Sequence, residues 1–308
     1  MSQELVVDEA KFTEITNVDE QYDSLKMSNP SNEEIDVEAF IQHLQHVQNL
    51  DQIEHLTINY NSSLNNLNVL RAFTNLRSLS VYGQYIQSLE GIEWFSKGEY
   101  IQIQTYRNRR RDLSQLVQTN IKHIDLYVER AEDLLSVAGC KQLKSADIYC
   151  SKENDFSEWS KVTAERISFK RCKFTELGDM ANIPALDYIS VIRCRSLERF
   201  IGDNSNIKRL VVDSCNKLDL RTLRTFERVE ALIVNSCKQE MNLTEIGGLE
   251  HVKHIDFILC NVQVDFIGLK DYFPNIESLH ISGMKKERGL ELKAWNPDVR
   301  ITSRSFEL

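Results

Sequence analysis

Five cysteines, Cys172, Cys194, Cys215, Cys237 and Cys260, recur at spacings of 22, 21, 22 and 23 residues, in segments such as SFKRCKF, SVIRCRSL and VVDSCNKL. Thiols at such regular spacing could ligate a metal, pair as disulfides or serve as nucleophiles. A thiolate metal site needs a tetrahedral set of ligands, commonly supplied by CxxC pairs, and a one-dimensional row with no CxxC cannot close one. Seven cysteines is an odd number, and the acidic start MSQELVVDEAKFTEITNVDE has no apolar signal core, so the thiols are expected to be reduced, in the cytoplasm. Cys140 and Cys150 fall off the row, and Cys150 is the one expected at a surface.

Other chemistry is weaker. His251 and His254 lie three apart with no third ligand beside them, and His55, His123 and His254 share one column, which reads as solvent-facing. The run Arg107, Asn108, Arg109, Arg110, Arg111 could contact phosphate or an acidic partner, but no aromatic residues interleave it for stacking on bases. No GxSxG, P-loop, HExxH or GxGxxG motif occurs. The chain is therefore expected to be no enzyme, to carry no cofactor or metal, and to have no small-molecule substrate.

The elements that position these residues emerge from a longer register. Each cysteine follows an apolar pair two residues apart, with another apolar residue three earlier: Ile207, Leu210 and Val212 before Cys215; Leu186, Ile189 and Val191 before Cys194. The pair continues without the cysteine as Leu56/Ile58, Leu79/Val81, Ile101/Ile103, Ile124/Leu126 and Ala146/Ile148, and ends at Leu279/Ile281. Its second members stand at 58, 81, 103, 126, 148, 169, 191, 212, 234, 257 and 281, between 21 and 24 apart. Period-2 alternation makes a short strand, and further apolar residues such as Ile86, Leu89 and Ile92 mark a return path.

This LxxLxLxx(N/C)xL pattern resembles the leucine-rich-repeat family over roughly residues 50 to 303, with a short period like internalin-type and phosphatase-regulator-type repeats. The resemblance implies an α/β solenoid, a curved horseshoe with a parallel concave sheet and short helices, 3₁₀ turns and extended segments on the convex side. Residues 1–50 are expected to form an N-terminal extension and capping helix, and residues 51–308 a solenoid of about eleven repeats. Ser31 with Glu34 is the expected capping box ahead of Phe40, Ile41, Leu44 and Val47. A leading strand is expected over residues 11–16 and a closing strand over residues 298–302. The family's Asn/Cys position points inward at the turn, which makes the cysteine row structural.

With 308 residues, 42% of them hydrophobic, the chain can bury a large core. No run of about 18 apolar residues exists to span a membrane. A net charge of −9 argues against general nucleic-acid binding and suits a basic protein partner. The outward strand positions then nominate partner-binding residues. Tyr82, Asp125, Tyr127, Asp147 and Tyr149 form an aromatic and acidic strip; Arg166, Lys170, Arg171, Arg193 and Arg209 form a basic zone; Ile192, Val211, Ile233 and Ile258 are expected to be exposed apolar residues. The leading expectation is a non-enzymatic scaffold binding a protein partner through its concave face, of the kind found in bacterial intracellular adaptors, inhibitors or immunity-type proteins. The alternatives are phosphate or nucleic-acid binding through the basic zone, and regulation of an enzyme such as a phosphatase.

Overall fold

A computed structural model describes residues 3–82, 85–104, 112–128, 130–265 and 268–308. The arginine run at 107–111 lies outside the described residues. The chain divides into two compact units, Met1–Ala146 and Asp147–Leu308.

In the first unit, parallel strands Glu4–Asp8, Ser24–Ser28, His55–Ile58, Ser78–Val81, Tyr100–Ile103 and His123–Tyr127 pair in chain order. Leu25, Leu56, Leu79, Ile101 and Ile124 stand in direct register, as do Met27, Ile58, Val81, Ile103 and Leu126. The LxL pairs thus become two stacked inward columns, each side chain almost wholly removed from water. Between strands the chain returns through short 3₁₀ turns, Asn68–Ala72, Ile92–Trp94 and Ser114–Gln118, and through the helix Ala131–Ala138.

The second unit repeats this arrangement. Strands Arg166–Lys170, Tyr188–Ile192, Arg209–Asp213, Ala231–Asn235, His254–Ile258, Ser278–Ile281 and Arg300–Ser303 are parallel, and an antiparallel Phe306–Glu307 covers the last edge. Its inward columns are Ile167, Ile189, Leu210, Leu232, Ile255, Leu279, Ile301 and Phe169, Val191, Val212, Val234, Phe257, Ile281. Two small parallel sheets, Glu176–Gly178 with Arg199–Ile201 and Glu240–Asn242 with Asn261–Gln263, run on the return side. Ser145–Tyr149 is the strand that carries the boundary between units.

A backbone device recurs in the second unit. The residue after each strand from Cys150 to Leu259 has positive φ: Cys150 61°, Arg171 56°, Arg193 55°, Ser214 56°, Ser236 54° and Leu259 56°. From Cys150 to Ser236 its amide then donates to the carbonyl that ends the next strand, as in Arg171 to Ile192 (2.8 Å) and Arg193 to Asp213 (2.7 Å). The left-handed residue flips the chain so that the following position, the cysteine column, points inward. None of the six is glycine, although left-handed backbone disfavours other residues by about 1–2 kcal/mol.

Two N-terminal expectations change. The helix is Val37–Leu44, capped by Asp36, whose carboxylate accepts from the Ala39 amide at 3.0 Å. Ser31 cannot start it because Asn32 is left-handed at φ 54°; the Ser31 hydroxyl donates to Asn29 instead. Residues 11–16 form no leading strand: Glu9–Glu14 is a 3₁₀ helix, and the leading strands are Glu4–Asp8 and Ser24–Ser28. The Leu25/Met27 pair hid from the period because the helix Val37–Leu44 is inserted before the next pair, Leu56/Ile58. At the other end the expected closing strand is present as Arg300–Ser303.

Candidate partner-binding surfaces

On the solvent face of the first unit's sheet, the residues between and beside the inward pairs are tied to one another. The Tyr82 hydroxyl donates to Gln102 Oε1 at 2.6 Å, and Gln102 Nε2 donates to Asp125 Oδ2 at 2.9 Å. The Tyr100 hydroxyl lies 3.4 Å from the same oxygen. Asp125 is thereby covered to 7% exposure, so of the expected strip it is an anchor beneath the surface rather than a presented contact. Tyr82 and Tyr127 are half-buried, each with an edge to solvent. Hydrogen-bonded aromatics held in this way give up little side-chain entropy to a partner.

Asp147 and Tyr149 belong to the second unit, where they meet Lys170. Its ammonium lies 2.5 Å from Asp147 Oδ2 and 3.1 Å from the Tyr149 hydroxyl, and 5.0 Å from the centre of the Tyr149 ring. Burial works against the Lys170 charge, but the hydrogen bonds to Asp147 and Tyr149 outweigh it and hold the ammonium above its ordinary range.

The expected basic zone is therefore three arrangements. Lys170 is neutralised in place. Arg166 and Arg209 flank Tyr188 in direct register, their guanidinium carbons 4.5 and 5.7 Å from its ring centre, and among the described residues neither has a carboxylate within ion-pair distance. Arg171 and Arg193 sit beyond the strand ends, lining an open depression of about 410 Å³ with Lys173, Arg195, Ser196 and Cys172. Ile192, Val211, Ile233 and Ile258 are half-buried rather than exposed, and Asp213 and Asn235 stand between Ile192 and Ile258, so they make no continuous apolar patch.

The cysteine row points inward as its register requires. Cys172, Cys194, Cys215 and Cys237 are buried, Cys260 is half-buried, and none of the seven cysteines is in a disulfide. The thiols of Cys172, Cys194, Cys215 and Cys260 donate to carbonyls of the preceding strand, Cys172 to Ile148 at 3.4 Å and Cys215 to Val191 at 3.6 Å among them. Contact with the Cys194 thiol, then burial, pushes Cys172 and Cys215 far above the usual thiol range. Burial alone pushes Cys140 up to about 11. Among the described residues no three His, Cys, Asp or Glu side chains group so as to hold a metal ion. His55, His123 and His254 are exposed; His254 Nδ1 lies 2.9 Å from the Ser278 hydroxyl. No described helix is long and apolar enough to cross a membrane.

Sequence reasoning missed Tyr188, Tyr100, Lys173 and Arg195. The first two occupy the outward column one residue before the inward pair, and Arg166 and Arg209 in that column already pointed to Tyr188 between them. The last two follow the cysteine, in RCK and RCR, and needed only the inward–outward alternation about Cys172 and Cys194.

No family model and no curated protein matches the sequence. Solved structures do. An internalin from Listeria monocytogenes is 16% identical with a TM-score of 0.50, the match covering 79% of this chain and 68% of that one. A chain of the Toll–Spatzle complex from Drosophila is 10% identical with a TM-score of 0.54, over 91% of this chain and 46% of that one, so this chain spans less than half its length. Stacked in-register LxL strands, return turns of this length and likeness to these solenoids together establish that the chain has the leucine-rich-repeat fold.

Proposed function

We propose that the chain is a non-catalytic scaffold that binds a protein partner through the solvent face of its parallel sheet. The observation that carries this reading is the Arg166–Tyr188–Arg209 row: two arginines stacked on one tyrosine, unpaired with any described carboxylate in a chain of net charge −9. Stacking orients each guanidinium while leaving its in-plane N–H donors open, which is how an arginine hot spot is preorganised. The hydrogen-bonded Tyr82–Gln102–Asp125 set and the Asp147–Lys170–Tyr149 set supply further fixed aromatic edges. The occurrence of a similar chain in the two-protein Toll–Spatzle complex is consistent with a protein partner. Seven cysteines, none in a disulfide, fit a reducing compartment, and we read the chain as a cytoplasmic adaptor or inhibitor.

The test is affinity capture from source cells with the full chain, followed by titration of the captured partner. Replacing Arg166, Tyr188 and Arg209 together by Ala is expected to weaken binding by about 100-fold or more, a loss of about 3 kcal/mol, with the melting curve unchanged. Undiminished binding by this variant would overturn the assignment of the sheet face.

A further inference from the structure

We propose that the depression at the turns after strands Arg166–Lys170 and Tyr188–Ile192 is a binding site for a phosphorylated side chain of a peptide segment. Lys170 and Ile192 are register partners, so the residues that follow them, Arg171-Cys172-Lys173 and Arg193-Cys194-Arg195, run side by side. Cys172 and Cys194 turn inward, and the flanking residues turn out. Two arginines face each other across neighbouring turns, with Lys173 and Arg195 beyond them, about 4.8 Å apart per strand step. The result is a square of four exposed cations around an open volume of about 410 Å³, with the Ser196 side chain on its wall. Among the described residues none of the four has a carboxylate within ion-pair distance, and the Ser196 hydroxyl has no hydrogen bond.

Nothing in the fold asks for this. Like charges on adjacent strands repel, and a chain with 46 acidic residues against 37 basic ones has carboxylates to spare. Arg171 and Arg193 also occupy left-handed backbone, where glycine or asparagine is at ease. The neighbouring turns carry Ser214-Cys215-Asn216 and Ser236-Cys237-Lys238 at the same positions, so the turn forms readily without an arginine. Four uncompensated cations, two of them at left-handed positions, are explained by an anion that they hold.

The chemistry selects the anion. A phosphomonoester carries about −1.5 to −2 charge and three acceptor oxygens, enough to engage several cations at once, where a carboxylate satisfies one arginine bidentately. The depression is open and lined by four cations, Ser196 and Cys172, with no aromatic or aliphatic side chain to hold the sugar or ring of a small phosphorylated metabolite, which favours a phosphate presented on a chain. No aromatic lines it to stack a base, and the net charge opposes a polynucleotide. The site lies beyond the strand ends, apart from the Tyr188 row, so it stands or falls independently of the proposed sheet-face scaffold.

The experiment presents the full chain to an immobilised degenerate peptide pool carrying phosphoserine and phosphotyrosine, and to the same pool unphosphorylated. Retention on the phosphorylated pool should be at least tenfold greater and should fall steeply with added salt. Arg171→Gly with Arg193→Gly should abolish that preference without lowering the melting temperature, because glycine suits both backbones and removes the repulsion. A control, Lys253→Gln, alters a cation already paired with Glu230 at 2.9 Å and should change nothing. Equal retention on both pools, full retention by the double glycine variant, or displacement by a single-stranded oligonucleotide at lower concentration than by free phosphoserine would each overturn the proposal.

Discussion

Glu9 is a carboxyl with no exposure to water, held against the turn at Ser62 and Ser63, where the Ser63 amide donates to its Oε2 at 2.7 Å. Burial raises its pKa, more than the hydrogen bonds from Ser62 and Ser63 lower it, and the neighbouring Asp8 adds to the rise. A carboxyl with a raised folded pKa contributes stability that is full below its unfolded pKa and is lost as pH rises through the folded one. At neutral pH Glu9 therefore works against the fold. Glu9→Gln, which keeps an acceptor for the Ser63 amide, should melt higher than the parent at neutral pH, and the advantage should vanish as pH falls into the acid range. Thermal melts of both proteins across that range read it directly; an advantage that grew toward acid would contradict the assignment. None of this was legible in the sequence: an acidic residue in an acidic, weakly patterned stretch gives no sign that a turn 54 residues away will cover it.

At the scale of the element, the repeat is held by polar side chains as well as by its apolar columns. Asn206 Nδ2 lies 3.1, 3.0 and 2.9 Å from the carbonyls of Met180, Ile183 and Leu186, tying one return path to the next. Asn75 reaches the Asp51 carbonyl and Asn275 the Glu250 carbonyl in the same sense. Asn206→Leu removes the side-chain donor from the Leu186 carbonyl and leaves the Met180 and Ile183 carbonyls only the amides of Ile183 and Leu186, which should cost about 1–2 kcal/mol in urea unfolding followed by the fully buried Trp159; a loss below about 0.5 kcal/mol would show that water takes its place. The strands themselves were legible because each LxL pair meets the same inward environment as its neighbours, so a single period carries every register. The ends were not, since capping obeys local chemistry: Asp36 won the helix start from Ser31 because Asn32 left the helical region. The expected partner residues lay on the sheet's outward columns, but side-chain pairing decided what each presents. Asp125 sank under Gln102 and Tyr100, Lys170 closed on Asp147, and Arg166 and Arg209 were left open.

Across the whole molecule, aromatic side chains fall into separable populations. Tyr82 and Tyr127 in the first unit, and Tyr149 and Tyr188 in the second, stand half-buried on the sheet's solvent face, while Trp94 and Trp295, 53% and 67% exposed, belong to a return turn and to the helix Lys286–Trp295. A scaffold that preorganises its sheet face should bury the first population and spare the second. Hydroxyl-radical footprinting of the full chain, alone and saturated with its captured protein partner, measures this residue by residue. The account predicts that Tyr149 and Tyr188 lose at least half of their oxidation in the complex while Trp94 and Trp295 keep theirs; protection of Trp94 or Trp295 with Tyr149 and Tyr188 unchanged would contradict it.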